Sequence, residues 1–326
     1  MPVKRPEKTP MPTREALVRA HDFREVNDGY AVEHAMFEAE RCLRCQDPVC
    51  VEGCPVRIPI REFIHSLAAG RMAEAARVLR EANPLPAICG RVCPQESQCE
   101  EVCHLAKRFG SVAIGHLERY VADWERSQPA VPPPTRAMRS ERVAVIGAGP
   151  AGLVCAGELA RLGHPVTVFE ALHAPGGVLR YGIPEFRLPK AILDWEIDQL
   201  RALGVTIETN VIIGKTLTLD SLFDTHGFAA VFVGTGAGLP RFLGIPGENL
   251  NGVYSANEFL TRMNLMRAYQ FPDADTPLKV GKRVAVFGAG NTAMDAVRSS
   301  LRMGAEQGLI VYRRSDKEMS ARVEEY

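Results

Sequence analysis

The cysteines constrain this chain more than any other feature, because eight of its nine lie between Cys42 and Cys103. They form two runs, CLRCQDPVCVEGCP at 42–55 and CGRVCPQESQCEEVC at 89–103. A [4Fe-4S] cluster takes about four thiolates that converge on one small core, so closely spaced cysteines on short turns suit it. The two runs hold enough thiolates for two clusters, and the Cys-Pro step that closes the first run predicts that Cys54 serves the other cluster.

Two other interpretations of the cysteines stay open. Even numbers of closely spaced cysteines form disulfide frameworks in secreted domains, and CxxC pairs also bind zinc. The amino-terminal segment MPVKRPEKTP is polar and interrupted by proline, unlike a secretion signal, so we expect a cytoplasmic location. The net charge is zero, and no apolar run approaches the ~20 residues of a membrane span. We therefore expect neither a nucleic-acid nor a membrane partner.

The chain divides into two segments with different sequence patterns. Residues 13–128 carry amphipathic stretches such as YAVEHAMFEAERCL, which are typical of helices, between the cysteine turns. The proline-rich segment SQPAVPPPTRAMRS follows and has the composition of a linker. Beyond it, short β-branched runs alternate with helical stretches, which is typical of Rossmann-like α/β domains.

The first α/β unit, RVAVIGAGPAGLVCAGELARLGHPVTVFE, has the pattern of a dinucleotide fingerprint. A strand leads into Gly147, Gly149 and Gly152, a helix follows, and the next strand ends at Glu170. The three glycines permit a tight turn, a close approach of backbone to a pyrophosphate, and packing of helix on strand. Glu170 can accept hydrogen bonds from ribose hydroxyls. The other fingerprint residues predicted to contact the cofactor are Pro150 and Ala151.

The second unit, KRVAVFGAGNTAMDAVRSSLRMGAEQGLIVYRR, repeats the fingerprint, with alanine in the third place. Its second strand is followed by Arg313 and Arg314 in place of an acid, and an arginine there can pair with a 2′-phosphate, which favours NADP over NAD. The alternative is a solvated basic strand end. Two nucleotide sites imply one bound flavin and one exchanging nicotinamide. The predicted contacts in the fingerprint are Gly288, Gly290, Asn291, Thr292 and Ala293.

These patterns predict an α+β multidomain protein. We place an all-helical domain with two [4Fe-4S] clusters at 1–128, a linker at 129–140, an incomplete Rossmann-like FAD domain at 141–278 and a partial Rossmann-like NADP domain at 279–326. A complete dinucleotide domain takes roughly 100 residues, whereas the second unit begins at Lys282 and the sequence stops at Tyr326. We therefore expect a chain truncated at its carboxy terminus.

Several segments closely resemble the small (beta) subunit of NADPH-dependent glutamate synthase: GYAVEHAMFEAERCLRC, CPVRIPIREFI, NPLPAICGRVCPQESQCEEVC, IGHLERYVADW, GGVLRYGIPEFRLPK and both fingerprints. The resemblance implies electron transfer between NADPH, FAD and two [4Fe-4S] clusters, without a catalytic acid or base. The implied partner is the large (alpha) glutamate synthase subunit, in glutamate biosynthesis, or another electron-accepting subunit. The alternatives are a subunit of NADH-dependent ferredoxin:NADP oxidoreductase or a related reductase, and a truncated fragment that carries clusters only.

The resemblance also implies which side chains hold the clusters. A count of thiols alone assigns Cys89 to the second cluster, whereas relatives use a carboxylate or amide from an IGxLE or IGxLQ segment, which here is Glu118. Sequence physics does not choose between the two, and we prefer Glu118 because the number of thiolates sets only an upper limit on ligation. The implied ligands are Cys42, Cys45, Cys50 and Cys103 for one cluster, and Cys54, Cys93, Cys99 and Glu118 for the other.

Similar proteins place the segment GGVLRYGIPEFRLPK beside the flavin. The strand-ending string VFVGTGA resembles a motif whose backbone approaches the flavin at Thr235 and Gly236, with a plain strand end as the alternative. The further contacts implied by the resemblance are Gly177, Leu179, Tyr181 and Arg187, with Val211 near the adenine.

Overall fold

The structure is a computed structural model that describes residues 7–129 and 137–325. These residues divide into two compact units, one formed by 7–14 and 26–129 and the other by 15–25 and 137–325. The central part of the predicted linker, 130–136, lies outside the described residues. The domain bounds drawn from the sequence remain predictions.

The first unit is helical, as its amphipathic pattern predicts. The helix Ile60–Ala68 shows the reason, because Ile60, Phe63, Ile64 and Leu67 recur at helical spacing and are all buried on one face. The cysteines of this unit lie on the turns and short helices around this core. The helices span Val32–Glu40, Val49–Glu52, Ile60–Ala68, Met72–Ala82, Pro86–Val92, Ala106–Phe109 and Ile114–Ser127, with a 3-10 turn at Gln95–Ser97.

Two helices of this unit pack with their backbones in contact. A Cβ atom at Gly90 would lie 2.5 Å from the backbone nitrogen of Arg119, so only glycine fits at this crossing. Helix Pro86–Val92 carries Cys89, and helix Ile114–Ser127 carries Glu118. The crossing therefore holds these two side chains in one region.

The second unit contains two parallel sheets within the described residues. Strands β1 (Val143–Ile146), β2 (Val166–Phe169), β3 (Thr206–Glu208) and β4 (Ala230–Val233) form one sheet in the order β3-β2-β1-β4, and β5 (Arg283–Phe287) pairs with β6 (Gln307–Val311). The helices span Ala16–Arg19, Pro150–Arg161, Val178–Tyr181, Lys190–Ala202, Leu219–Asp224, Ala256–Asn264 and Asn291–Arg302, with 3-10 turns at Ala268–Gln270, Asp316–Glu318 and Val323–Glu325.

The sheet order brings the carboxyl ends of β1 and β4 side by side, with Ile146 paired to Val233. Every residue of β1 is buried, as expected for a parallel strand covered on both faces. In doubly wound folds, ligands bind beyond the carboxyl ends of such strands, where the strand order reverses. Among the described residues, the helices lack the combination of length and apolar character needed to cross a bilayer.

Candidate functional site

Four thiols of the first unit surround one small cavity of about 30 Å³. The rest of the cavity wall is largely apolar and includes Ile60, Ile64 and Val112. One of the four thiols comes from the second cysteine run, so the fold joins residues that are far apart in sequence. The thiols in the cavity wall are Cys42, Cys45, Cys50 and Cys103, the set implied for the first cluster.

The electrostatics of this cavity favour a positively charged occupant. Burial raises the pKa of the Cys50 thiol to about 12, and the neighbouring Cys103 and Cys42 add to the rise. Burial likewise raises the pKa of Cys42, with contributions from Cys45 and Cys103. Thiols whose charged forms would repel one another in an apolar cavity release their protons when a metal centre binds, because the metal neutralises the thiolate charges. The donor set therefore fits a [4Fe-4S] core.

Glu118 lies near Cys89 and Cys99, two of the remaining thiols of the two runs. Burial raises the pKa of Cys99, and the nearby charges of Glu100, Cys54 and Glu118 add to it. The pKa of Cys89 is raised by a hydrogen bond with Cys93, then by burial, with the Glu118 charge contributing. The structure thus brings together Cys54, Cys93 and Cys99 with both candidates for the fourth ligand, Cys89 and Glu118.

Glu118 itself is only 5% exposed. Its Oε1 atom accepts a hydrogen bond from Nδ2 of Asn83 at 3.0 Å. Within residues 7–129 and 137–325, no three His, Cys, Asp or Glu side chains are arranged to hold a single metal ion. A four-iron core is wider than one ion and spaces its ligands farther apart.

A buried ion pair that sequence reasoning missed supports the first cavity. Nη1 of Arg41 donates to Oε1 of Glu38 at 2.5 Å, and the guanidinium also donates to the carbonyl oxygens of residues 109–111 at 2.7, 2.8 and 3.0 Å. Glu38 accepts from the backbone N–H of Ala113 at 2.8 Å. Because Arg41 directly precedes Cys42, this network ties the Cys42 turn to the segment behind the cavity wall. In sequence, Glu38 and Arg41 look like an ordinary exposed i,i+3 pair.

The first fingerprint has the close backbone approaches that its glycines predict. Gly147 has φ +100°, and a Cβ atom there would lie 2.5 Å from the carbonyl oxygen of Gly234, beyond β4. A Cβ atom at Gly152 would lie 1.9 Å from the Gly147 carbonyl oxygen. Gly149 precedes the helix Pro150–Arg161, and the nearest atom to a Cβ there is 3.9 Å away. The open side of Gly149, at a helix amino terminus, fits a pyrophosphate.

Glu170 is buried at the end of β2 and braces the fingerprint loop. Its Oε2 accepts from the backbone N–H of Ala148 at 2.7 Å, and its Oε1 accepts from that of Leu172 at 2.9 Å. A carboxylate has about four acceptor sites, so Glu170 retains capacity for ribose hydroxyls. Tyr181 lies close enough to Glu170 for the carboxylate charge to add to the rise that burial causes in the Tyr181 pKa.

The predicted flavin segment packs directly on the fingerprint. A Cβ atom at Gly177, where φ is +52°, would lie 2.6 Å from the Cα of Gly149. Leu179 follows and is buried, and Val211 donates its backbone N–H to the Glu170 carbonyl at 3.0 Å. A Cβ atom at Gly147 would also lie 3.4 Å from the Cα of Thr235. Gly236 follows Thr235 and has φ +70°. Of these predicted contacts, Gly177 and Thr235 therefore lie against the fingerprint loop, beyond the carboxyl end of β1.

The structure gives Arg187 other partners. This buried arginine pairs through Nη1 with Oδ2 of Asp295 at 2.7 Å and through Nε with Oε1 of Glu325 at 2.7 Å. Asp295 belongs to the helix Asn291–Arg302 of the second fingerprint. The flavin contact of Arg187 therefore stays a prediction, while its observed contacts lie toward the second nucleotide unit.

The second fingerprint has the same turn with more room. Gly288 has φ +126°, and a Cβ atom there would meet the Cβ of Ala293 at 3.7 Å, an ordinary contact. Gly290 precedes the helix that begins with Asn291 and Thr292, and Oδ1 of Asn291 accepts from the Arg322 N–H at 3.0 Å. The arginines predicted to bind a 2′-phosphate, Arg313 and Arg314, are exposed just beyond β6.

Two family models match this chain. Residues 19–130 match the family of dihydropyrimidine dehydrogenase domain II, 4Fe-4S cluster, and residues 139–326 match the pyridine nucleotide-disulphide oxidoreductase family. The solved thioredoxin reductase of Lactococcus lactis (FR conformation) aligns with a TM-score of 0.39 and 21% identity, over 57% of this chain and 60% of that one.

Three curated relatives give the range of similarity. The chain is 36% identical to the glutamate synthase [NADPH] small chain of Escherichia coli (strain K12), over 94% of its own length and 66% of the relative's. It is 39% identical to the putative oxidoreductase UacF of the same organism, over 93% and 48% of the two lengths. It is also 39% identical to the NADPH-Fe(3+) oxidoreductase subunit beta of Geobacter sulfurreducens, over 84% and 40%. The chain thus spans less than two thirds of the length of each of these three relatives.

Proposed function

Because the chain belongs to the pyridine nucleotide-disulphide oxidoreductase family and is homologous to small chains of NADPH-dependent glutamate synthase, we propose that it transfers electrons between NADPH, FAD and two [4Fe-4S] clusters. The observation that carries the proposal is the cavity in which four thiols from two separate cysteine runs meet. Nucleotide binding does not use four converging thiols, whereas an iron-sulfur cluster is held by them.

The chain's own residues would hold the cofactors as follows. Cys42, Cys45, Cys50 and Cys103 hold the first cluster, and Cys54, Cys93 and Cys99 hold the second with Glu118. A flavin accepts two electrons as a hydride and can release them singly, which is the form in which an iron-sulfur cluster carries them. The protein binds and orients the cofactors and excludes water from them. Electron transfer of this kind requires no side chain that acts as a general acid or base.

The two nucleotide sites bind different cofactors in this proposal, FAD at the first fingerprint and NADPH at the second. The loop at Gly147–Gly152 and the Glu170 carboxylate would bind the pyrophosphate and ribose of FAD, with the segment from Gly177 covering the flavin. The loop at Gly288–Ala293 would bind NADPH, with Arg313 and Arg314 at its 2′-phosphate. Exposure of both guanidinium groups supports an exchanging ligand there, because the site stays open to solvent.

The proposed electron acceptor is the large subunit of glutamate synthase. In support, the match to the glutamate synthase small chain, at 36% identity, covers 94% of this chain, against 84% for the NADPH-Fe(3+) oxidoreductase subunit beta. The second candidate is an acceptor subunit of another oxidoreductase, which the 39% identity to the NADPH-Fe(3+) oxidoreductase subunit beta favours. Binding of the purified large subunit to this chain would distinguish the two.

The cluster proposal is tested by anaerobic reconstitution followed by iron and sulfide analysis. We expect about eight irons and eight sulfides per chain, because each [4Fe-4S] cluster contributes four of each. Cys50→Ser should remove about half of both, since it deletes one of the four thiols of the first cavity. Cys155→Ser is the matched control, because Cys155 lies in the helix of the first fingerprint, and it should change neither. Bound zinc without sulfide would contradict the proposal.

A further inference from the structure

A buried asparagine lies beside the second group of thiols. Asn83 follows the helix Met72–Ala82 and is 2% exposed. Its Oδ1 atom accepts the backbone N–H of Leu85 at 3.0 Å, and its Nδ2 atom donates to Oε1 of Glu118 at 3.0 Å. Since the Leu85 N–H requires an acceptor, the amide oxygen must face Leu85 and the NH₂ group must face Glu118. The orientation of the amide is thus fixed by its own neighbours.

The same amide also reaches the competing ligand. The Asn83 side chain hydrogen-bonds to Cys89, whose thiol in turn hydrogen-bonds with Cys93. An NH₂ group has two hydrogens, so one can serve Glu118 while the other points to the sulfur. Asn83 is therefore placed between the two side chains that could complete the second cluster.

The surrounding backbone keeps this arrangement rigid. The Asn83 N–H donates to the Leu79 carbonyl at 2.8 Å, which anchors it to the preceding helix. Pro86, three residues on, begins the helix that carries Cys89, and the contact at Gly90 locks that helix against the one that carries Glu118. Small shifts of the Asn83 amide are thus resisted from both sides.

We propose that Asn83 is a positioning residue of the second cluster site, which holds the Glu118 carboxylate among Cys54, Cys93 and Cys99 and raises the redox potential of the cluster bound there. This inference rests on the proposed function. An N–H donor to a ligand oxygen stabilises negative charge on the ligand, and the reduced cluster is the more negative state. Loss of the donor should therefore make reduction of the second cluster harder and leave the first cluster unchanged.

The test exchanges donor and acceptor. Asn83→Asp keeps an oxygen for the Leu85 N–H but presents a carboxylate to Glu118, whereas Asn83→Ser keeps a short acceptor for Leu85 and does not reach Glu118. In Asn83→Asp/Glu118→Gln, the glutamine amide can donate to the new aspartate, so the hydrogen bond is restored with its direction reversed. Each variant is reconstituted anaerobically as the full chain and titrated with reductant while electron paramagnetic resonance follows each cluster.

We expect Asn83→Asp and Asn83→Ser to lower the ratio of reduced to oxidised second cluster at a fixed potential by about tenfold, which is about 59 mV for a one-electron couple. The double variant should recover part of that loss, because the glutamine amide removes the repulsion between two adjacent carboxylates while the ligand oxygen still lacks its donor. Gln95→Glu is the matched control, because Gln95 is also buried but donates to the backbone oxygen of Cys89 at 3.0 Å, so adding Glu118→Gln should not rescue it.

An unchanged second-cluster potential in both single variants would overturn the inference, as would a double variant no better than Asn83→Asp. If Asn83 has only a structural role, both clusters should be lost equally. The signal of the first cluster, measured in the same sample, would show this. Failure of the proposed function is visible separately, because the unsubstituted chain would then hold fewer than about eight irons or none.

Discussion

The sharpest prediction concerns Gly152, the third glycine of the first fingerprint. In Gly152→Ala, the added Cβ would lie 1.9 Å from the carbonyl oxygen of Gly147 and 3.2 Å from a methyl group of Val145. The obstructing atom is backbone, in a loop that Glu170 holds by its hydrogen bond to Ala148. The clash therefore cannot be relieved by rotating a side chain, and helix and strand must move apart.

The size of the effect follows from that distance. Heavy atoms in ordinary contact are about 3.5 Å apart, so the helix Pro150–Arg161 must retreat from the Gly147 turn by roughly 1.5 Å. Overpacking of this kind costs about 1–3 kcal/mol, and an obstruction by fixed backbone belongs at the upper end. For a unit of this size, about 3 kcal/mol lowers the melting temperature by about 6–12 °C.

Gly149→Ala is the control within the same motif. Gly149 has φ −77°, and the nearest atom to its Cβ is 3.9 Å away, so alanine should leave the melting temperature within about 2 °C of the unsubstituted chain. Its methyl group would instead occupy the space proposed for the pyrophosphate, so FAD affinity should fall at least about tenfold. Differential scanning fluorimetry and fluorescence titration with FAD measure the two quantities. Equal melting temperatures for the two variants would refute the packing argument, and unchanged FAD affinity in Gly149→Ala would refute the site assignment.

Three further predictions concern charged side chains. Burial lowers the pKa of Lys190 to about 8. Because the unfolded value is about 10.4, the folded chain loses this proton first, and unfolding free energy should rise between about pH 8 and 10.4 by up to about 1.4 kcal/mol per pH unit. Denaturant melts should show that Lys190→Met removes this rise. Glu38→Ala removes the carboxylate partner of the buried Arg41, so it should cost about 3–5 kcal/mol in the same melts and lower the iron content. Arg314→Ala combined with Arg313→Ala should weaken NADPH binding at least about tenfold while leaving NADH binding unchanged, as competitive titrations would show.

Local patterns predicted the fold well where the physics is local. A buried strand, a glycine turn and a helix form a contiguous unit, so both fingerprints could be located from spacing alone, and the helical first unit followed from its amphipathic period. The meeting of Cys103 with Cys42 in one cavity depended on resemblance to relatives, because nothing local specifies it. Asn83 gave a different signal, since an asparagine before proline indicates a turn, and its contact with Glu118 arises only from the crossing of two helices. Long-range polar contacts are set by packing, and sequence spacing carries little information about them.

The segment from Gly177 to Arg187 connects these observations within the second unit. At one end, the Gly177 backbone rests on Gly149 of the first fingerprint, and at the other, Arg187 pairs with Asp295 of the second. Phe186, beside Arg187, is fully buried and lies under the guanidinium of Arg302 at 3.8 Å. Hydride transfer requires the two nucleotides to keep a defined relation, and a misplacement of about 1 Å can cost about 100-fold in rate. In the proposed function, one short segment in contact with both fingerprints would fix that relation, and the ion pairs of Arg187 with Asp295 and Glu325 would help to hold it.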